Sequence, residues 1–276
     1  MKSRPSGSSF RLAGYSAKTS TQGINFGSDA GKDGGGGGLK WSPGGVKRGV
    51  GMTLQEQFGQ IDIYLFDQIL RGNISPGMRV VDAGCGGGRN IQYLLREGYE
   101  VFGVDVSAEA VAAVRKMATE LAPGLPAENF QVAGVEAMPF ADEFADVVVC
   151  HSVLHFARDE AQLEAMVRGL WRVLRPGGML FCRLASTIGA VQGMAFEAVG
   201  GRRFRMSHGA EWLLVDEALL MKLTRGLDGE LVDPLKTTVV QGQRCMTTWV
   251  VKKKAPPGGE GRAFVSSGMP SLARKL

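Results

Sequence analysis

The chain has 276 residues, 44% of them hydrophobic, enough to bury a core, and no apolar run approaches the ~20 residues that a membrane span needs. Its formal charge of +5 is unevenly held: residues 1–50 carry +6, residues 252–276 carry +5 and residues 51–251 carry −6. The basic character therefore belongs to the ends of the chain, around an acidic body, and composition does not favour a nucleic-acid face on the folded part.

Residues 1–50 hold 13 of the 40 glycines and little periodicity, and they read as a disordered Gly/Ser-rich basic tail. No acid precedes Asp29, while Lys2, Arg4, Arg11 and Lys18 do, which is the composition of an organelle transit peptide without its amphipathic stripe. There is no apolar stretch of the secretory kind. The four cysteines, Cys85, Cys150, Cys182 and Cys245, form no CxxC and no zinc spacing. They read as small buried thiols of a reducing compartment, so the expected location is cytoplasmic, with an organelle as the alternative. No metal site is expected.

Between the tails, helix and strand signals alternate. Phe58, Ile61, Leu65, Phe66, Ile69 and Leu70 form a helical stripe that Gly72 and Pro76-Gly77 end. Arg79–Asp82 is a short strand, Asn90–Glu97 a helix stopped by Gly98, and Glu100–Asp105 a second strand. Ser107 can cap the next helix, striped by Val111, Val114, Ala118 and Leu121. Phe130–Ala133 is a third strand, and Ala145–Cys150 is a fourth, apolar as for a strand covered on both faces. Leu163, Met166, Val167, Leu170 and Leu174 stripe a helix ended by Pro176-Gly177-Gly178, and Met179–Leu184 is a fifth strand. A helix near Glu217–Arg225 follows. Two last strands, around Glu230–Val240 and Arg244–Val251, can pair through Gln241-Gly242-Gln243. This alternation predicts a doubly wound α/β sheet, mostly parallel, with its ligand at the carboxyl ends of the strands.

The turn after the first strand is Asp82-Ala83-Gly84-Cys85-Gly86-Gly87-Gly88-Arg89-Asn90. A P-loop would end in Gly-Lys-Ser/Thr, and this turn does not. A dinucleotide fingerprint would want glycine at position 89, where Arg89 stands. Asp82 at the strand end would repel a pyrophosphate but suits a ligand with an ammonium group. Asp105, ending the second strand, can accept from two ribose hydroxyls. The ligand meeting these demands is S-adenosylmethionine, whose amino acid end the glycines let the backbone approach.

With these residues placed, the stretch from about 55 to 252 resembles a class I S-adenosylmethionine-dependent methyltransferase. Asp82-Ala83-Gly84-Cys85-Gly86-Gly87-Gly88 is similar to the family's first motif, Glu136-Ala137-Met138-Pro139-Phe140 to its adenine-binding segment, and Leu174-Arg175-Pro176-Gly177-Gly178 to the turn before its fifth strand. The ending at Asn90 resembles tellurite-resistance methyltransferases, and Asp146–Phe156 resembles quinone-biosynthesis ones. The resemblance implies a Rossmann-like sheet of seven strands in order 3214576, the seventh antiparallel. It places the cofactor against Asp82, Gly84, Cys85, Gly86, Gly88, Asp105, Val106, Val135, Glu136 and His151. A methyltransferase domain over 51–253 is expected, with a helical cap at 51–72, an irregular segment at 186–212 that can serve as a lid, and a second disordered tail at 254–276. Many members carry Asp where this chain has Gly134. Adenine then relies on the Val135-Glu136 backbone, the Glu136 side chain or stacking, and a modest cofactor affinity is expected.

Methyl transfer is an in-line displacement, so the protein mostly aligns the reactants and, where needed, removes a proton. Candidate catalytic groups follow strands four and five: His151 and His155, four residues apart and on one face of a helical turn, and Arg183. Arg202, Arg203 and Arg205 are further candidates for clamping an anion, and Tyr64 for facing the site. Cys150 and Cys182 read as core thiols, with a metalloid-binding pair as the rival. No Asn/Asp-Pro-Pro-Tyr/Phe segment occurs, so an amino nitrogen of DNA or RNA is an unlikely acceptor. The expected partner is a small, partly apolar methyl acceptor, with a quinone or other lipid-soluble acceptor as the rival. A cofactor-binding subunit without turnover and a nucleic-acid modifier tethered by the tails stand as alternatives.

Overall fold

The computed structural model describes residues 52–255. The expected tail at 1–50, and that at 254–276 beyond Ala255, lie outside the described residues.

The N-terminal stripe forms two helices rather than one: α1 (Leu54–Phe58) and α2 (Ile63–Leu70). Thr53 and Glu56 close a capping box on α1, and Gly59 ends it with φ 64°. Asp62 then restarts the helix, accepting from the backbone N–H groups of Tyr64 and Leu65. The apolar periodicity was continuous through this break, and the glycine and the cap decide it.

There follow β1 (Arg79–Ala83), α3 (Gln92–Arg96), β2 (Glu100–Asp105), α4 (Ala108–Leu121), β3 (Phe130–Val132), β4 (Ala145–His151), α5 (Glu160–Val173) and β5 (Leu174–Ser186). Ser107 caps α4 through Ala110 N–H at 3.1 Å. Next come β6 (Phe196–Gly200), β7 (Arg203–Met206), β8 (Glu211–Leu213), α6 (Glu217–Gly226), β9 (Gly229–Leu231), β10 (Lys236–Val240) and β11 (Arg244–Lys253).

The main sheet runs β10-β11-β5-β4-β1-β2-β3. The β1–β2, β2–β3, β1–β4 and β4–β5 pairs are parallel, and β11 is antiparallel to both β5 and β10. With β10 as sixth and β11 as seventh strand, this is the expected 3214576 order; the short β9, paired to β11, is an addition.

Side-chain alternation along β4 divides the core. Val147 and Val149 pack with α2, α3 and α4, whereas Val148 and Cys150 pack with α5 and α6. Burying each such side chain contributes roughly 1.5–3 kcal/mol, and this sets the register of the central strands. Cys150 and Cys182 are register partners on β4 and β5, both fully buried in this core. All four cysteines are free and buried, and none lines the clefts described below. Gly169 on α5 lets that helix press on the 135–137 turn: a Cβ there would lie 2.2 Å from the Val135 carbonyl oxygen.

The segment expected to be irregular contains a second, three-stranded antiparallel sheet, β6-β7-β8. Phe196, Phe204, Met206 and Trp212 pack from it onto Ala185 and Met246, at the ends of β5 and β11. A short exposed sheet with one apolar face carries a weaker pattern than the buried parallel strands.

Candidate functional site

The carboxyl ends of β1, β2 and β4 surround a cleft of about 450 Å³, a size usual for small-molecule sites. Of the ten residues expected to meet the cofactor, Gly84, Gly86, Asp105, Val106, Val135, Glu136 and His151 line it. Asp82, Cys85 and Gly88 do not. Cys85 turns its thiol toward Gly103 of β2, and burial, helped by Asp82 and Asp105, holds that thiol far above its ordinary pKa. Gly88 is a packing glycine: a Cβ there would lie 2.2 Å from Met117 Cε of α4. It thus supplies the close helix approach that the dinucleotide pattern would have asked of position 89.

Asp82 is 1% exposed and sits behind the turn rather than in the cleft wall. Its Oδ1 has no hydrogen-bond partner among the described residues. Burial, then the nearby Asp105, push its carboxyl up to about 7, against a smaller pull from Arg89. Asp105 Oδ2 accepts from Gly86 N–H and Oδ1 from Ser107 N–H, both at 2.9 Å, so the acid fixes the turn while keeping lone pairs toward the cleft. Gly84, with φ 83°, lies so close to Val153 that a Cβ would come within 2.3 Å of its Cγ2. Two acids behind a glycine turn, one of them orphaned, fit a ligand that brings a cation and hydroxyls and no phosphate.

The far wall is apolar. Val106 is 78% exposed and Phe156 63%, and with Val135 and Met166 they offer flat surface for a base. A Cβ on Gly134 would lie 3.0 Å from Glu136 Oε2, so the Glu136 carboxylate stands beside the place where a side chain at 134 would be. Gln162 Nε2 donates to the other Glu136 oxygen at 2.8 Å.

A second cleft of about 350 Å³ shares His151, Ser152 and Phe156 with the first. His155, Arg183, Trp212, Arg89, Val240, Arg244 and Met246 complete it. His151 and His155 therefore meet in one cleft, but not through a helical turn: His151 ends β4, Ser152 takes a left-handed backbone with φ 61°, and His155 lies in the short 3-10 turn Leu154–Phe156. Burial, with a smaller push from His151, holds the His155 imidazole down to about 4. Its Nδ1 accepts from Ala185 N–H at 3.4 Å, which leaves the proton of the neutral ring on Nε2.

Sequence reasoning missed Asp62. Its Oδ2 pairs with Arg183 Nη1 and lies 3.1 Å from His151 Nε2, while its own N–H donates to Asn90 Oδ1 at 3.0 Å. Burial alone would raise the Asp62 carboxyl, but His151 and Arg183 outweigh it and hold the group at about 2. The Arg89 guanidinium lies 3.0 Å from His151 Nε2 and 3.4 Å from Nδ1. Arg89 can only donate and ionised Asp62 only accept, and both lie nearest Nε2, so the tautomer that gives Asp62 its hydrogen also turns that N–H toward Arg89. Tyr64 stacks under Arg183, 5.3 Å from ring centroid to guanidinium carbon, and bonds Thr238 at 3.1 Å; it lines neither cleft. Arg202, Arg203 and Arg205 also stay outside, paired with Glu160, Asp216, Glu211 and Glu197. The signal for Asp62 was its place as an N-cap before a helix; that it also reaches β4 and β5 is a tertiary fact.

Residues 81–182 match the family model described as a methyltransferase domain. The chain is 34% identical over 106 residues to an uncharacterized methyltransferase of Synechocystis, which covers 38% of this chain and 46% of that protein. It is 38% identical over 106 residues to the ubiquinone biosynthesis O-methyltransferase of Sodalis glossinidius, covering 38% and 40%. The chain thus spans less than half the length of either relative. Among solved structures, 1,6-didemethyltoxoflavin-N1-methyltransferase of Burkholderia thailandensis, crystallised with 1,6-didemethyltoxoflavin and S-adenosylhomocysteine, superposes with a TM-score of 0.52 at 19% identity, over 67% of this chain and 75% of that one. Magnesium protoporphyrin IX methyltransferase of Synechocystis, with bound S-adenosylmethionine, gives 0.51 at 19% identity, over 69% and 76%. At these identities the likeness establishes the fold.

Proposed function

We propose that this chain, whose residues 81–182 match a methyltransferase domain, transfers the methyl group of S-adenosylmethionine to a small-molecule acceptor. The observation that carries the reading is the meeting of two clefts at His151, Ser152 and Phe156. One has the glycine turn and acids suited to the cofactor, and the other is open to an acceptor.

The cofactor, when bound, supplies a methyl group on a positively charged sulfur. The chain's own residues do the rest. Asp105 accepts from ribose hydroxyls, and the turn at Gly84 and Gly86 admits the amino acid portion beside the negative charge of Asp82. Val106, Val135, Phe156 and Met166 cover the base, with Glu136 and Gln162 at its polar edge. His151 takes the acceptor's proton at Nδ1, and Asp62 holds the ring and stabilises the imidazolium that results. Arg89, 3.0 Å from Nε2, must move off the ring for that step. His155 donates from Nε2 and is no base, since its ring stays neutral well below physiological pH. Arg183 anchors Asp62 and faces the acceptor.

The domain runs over 51–253, with α1 and α2 as a cap, and the small sheet within 186–213 as the roof of the acceptor cleft. Among the described residues no helix is long and apolar enough to cross a membrane. Four free buried thiols support a cytoplasmic location.

Calorimetric titration of the full chain with S-adenosylmethionine, with NADH as control, tests the reading. Binding of the first alone, lost in Asp105→Ala, is expected. Absence of binding, or equal binding of NADH, refutes it.

A further inference from the structure

The second cleft has a charge and shape of its own. Its lining includes three arginines and no Asp or Glu. Arg183 is answered by Asp62. The only side-chain partner of Arg89 among the described residues is His151, and Arg244 has none there. Two guanidinium groups therefore face the cleft without a hydrogen-bonded carboxylate, although Arg89 acts at longer range on the buried Asp82. The wall is also rich in donors: Arg183 Nε and Trp212 Nε1 are buried with no hydrogen-bond partner among the described residues. The first cleft is the reverse, with Asp105 and Glu136 in its wall and no Lys or Arg. The rest of the second cleft is flat and apolar. The His155 ring lies 4.4 Å from Trp212, Phe156 lies 6.2 Å from it, and Val240 and Met246 complete the surface.

Resting on the methyltransferase reading, we propose that the acceptor is a small aromatic molecule bearing an anionic oxygen group, such as a carboxylate, held by Arg89 and Arg244 and flanked by Trp212 and Phe156. An oxyanion supplies the acceptors that the wall lacks, and Arg89 and Arg244, both exposed at the cleft, carry the charge that would bind it. The opposite signs of the two clefts sort the reactants: the positively charged cofactor favours the acidic one, and the anion the basic one. Arg89, placed beside His151, gives this charge a second effect. An anion drawing the guanidinium toward itself releases the His151 ring, so that the base is freed when the acceptor is in place.

Calorimetric titration of the full chain, saturated with S-adenosylhomocysteine, compares 2-naphthoate with its neutral counterpart 2-naphthamide. The acid is expected to bind at least tenfold more tightly, with the preference falling in Arg244→Gln and Arg89→Gln and shrinking as salt is raised. Arg244 is exposed and makes no side-chain bond among the described residues, so its variant folds as the parent does. Equal binding of acid and amide, or no binding of either while S-adenosylhomocysteine is bound, overturns the proposal and leaves the methyltransferase reading standing. Failure of S-adenosylhomocysteine to bind sinks that reading instead, and naphthoate against naphthamide on the free protein still decides the charge preference of the cleft.

Discussion

Asp62→Asn isolates the charge that joins the N-terminal cap to the site. Asparagine is as good an N-cap as aspartate, so the start of α2 is kept. What is lost is the pairing to Arg183 and His151, for a carboxylate that is 2% exposed. The structure holds this carboxyl at about 2 against an ordinary value of 3.8. By linkage the ionised form is then worth about 2.5 kcal/mol to the folded state at neutral pH. Leaving Arg183, 17% exposed, without its carboxylate raises the expected cost toward ~3–5 kcal/mol. The folded-state value lies below the unfolded one, so the contribution is complete above about pH 5 and fades as pH falls through 3.8 toward 2. Urea unfolding of parent and variant from pH 7 down to pH 3 should show a gap of at least about 2 kcal/mol that narrows with acid. Other carboxyls titrate in both proteins and cancel. A gap below about 0.5 kcal/mol at pH 7, within the range of ordinary surface substitutions, or one that does not change with pH, refutes the argument.

Three further substitutions probe the turn. Asp82 is raised rather than lowered, to about 7, so the free protein loses stability as pH climbs from about 4 through 7. Asp82→Asn removes that loss: its Tm at pH 8 should exceed the parent's while its affinity for S-adenosylmethionine drops, and a variant whose Tm tracks the parent's from pH 5 to pH 8 would count against the burial argument. Gly84→Ala and Gly86→Ala both force a side chain onto a left-handed backbone, at roughly 1–2 kcal/mol. Only the first also meets Val153, at 2.3 Å, whereas a Cβ at 86 finds nothing within 4 Å. Denaturant unfolding should therefore rank Gly84→Ala as clearly the costlier, and equal costs would show that Val153 yields freely.

The central sheet was legible because its strands are apolar on both faces and its turns are marked by glycine and proline. Glu100–Asp105 and the Ser107-capped helix lie where the pattern placed them. The acid-led glycine turn pointed to the right end of the sheet for the same reason: its chemistry is local. The assignment failed where one residue had two possible duties. Gly88 and Cys85 share the motif with Gly84 and Gly86 but face α4 and β2, and only the direction of each backbone step separates them. The second cleft was the least legible. His151, Arg183, Trp212 and Arg244 come from four separate strands, and no spacing along a chain announces that they meet. The small sheet did leave a trace: in Arg203-Phe204-Arg205-Met206 the alternation is there, with Phe204 and Met206 inward and the arginines outward.

The two clefts follow one another along the chain. The family match ends at Cys182, one residue before Arg183. Every residue lining the first cleft falls inside it, whereas Trp212, Val240, Arg244 and Met246 of the second lie beyond. A substitution at any of those four positions therefore reshapes the second cleft without touching a residue that lines the first.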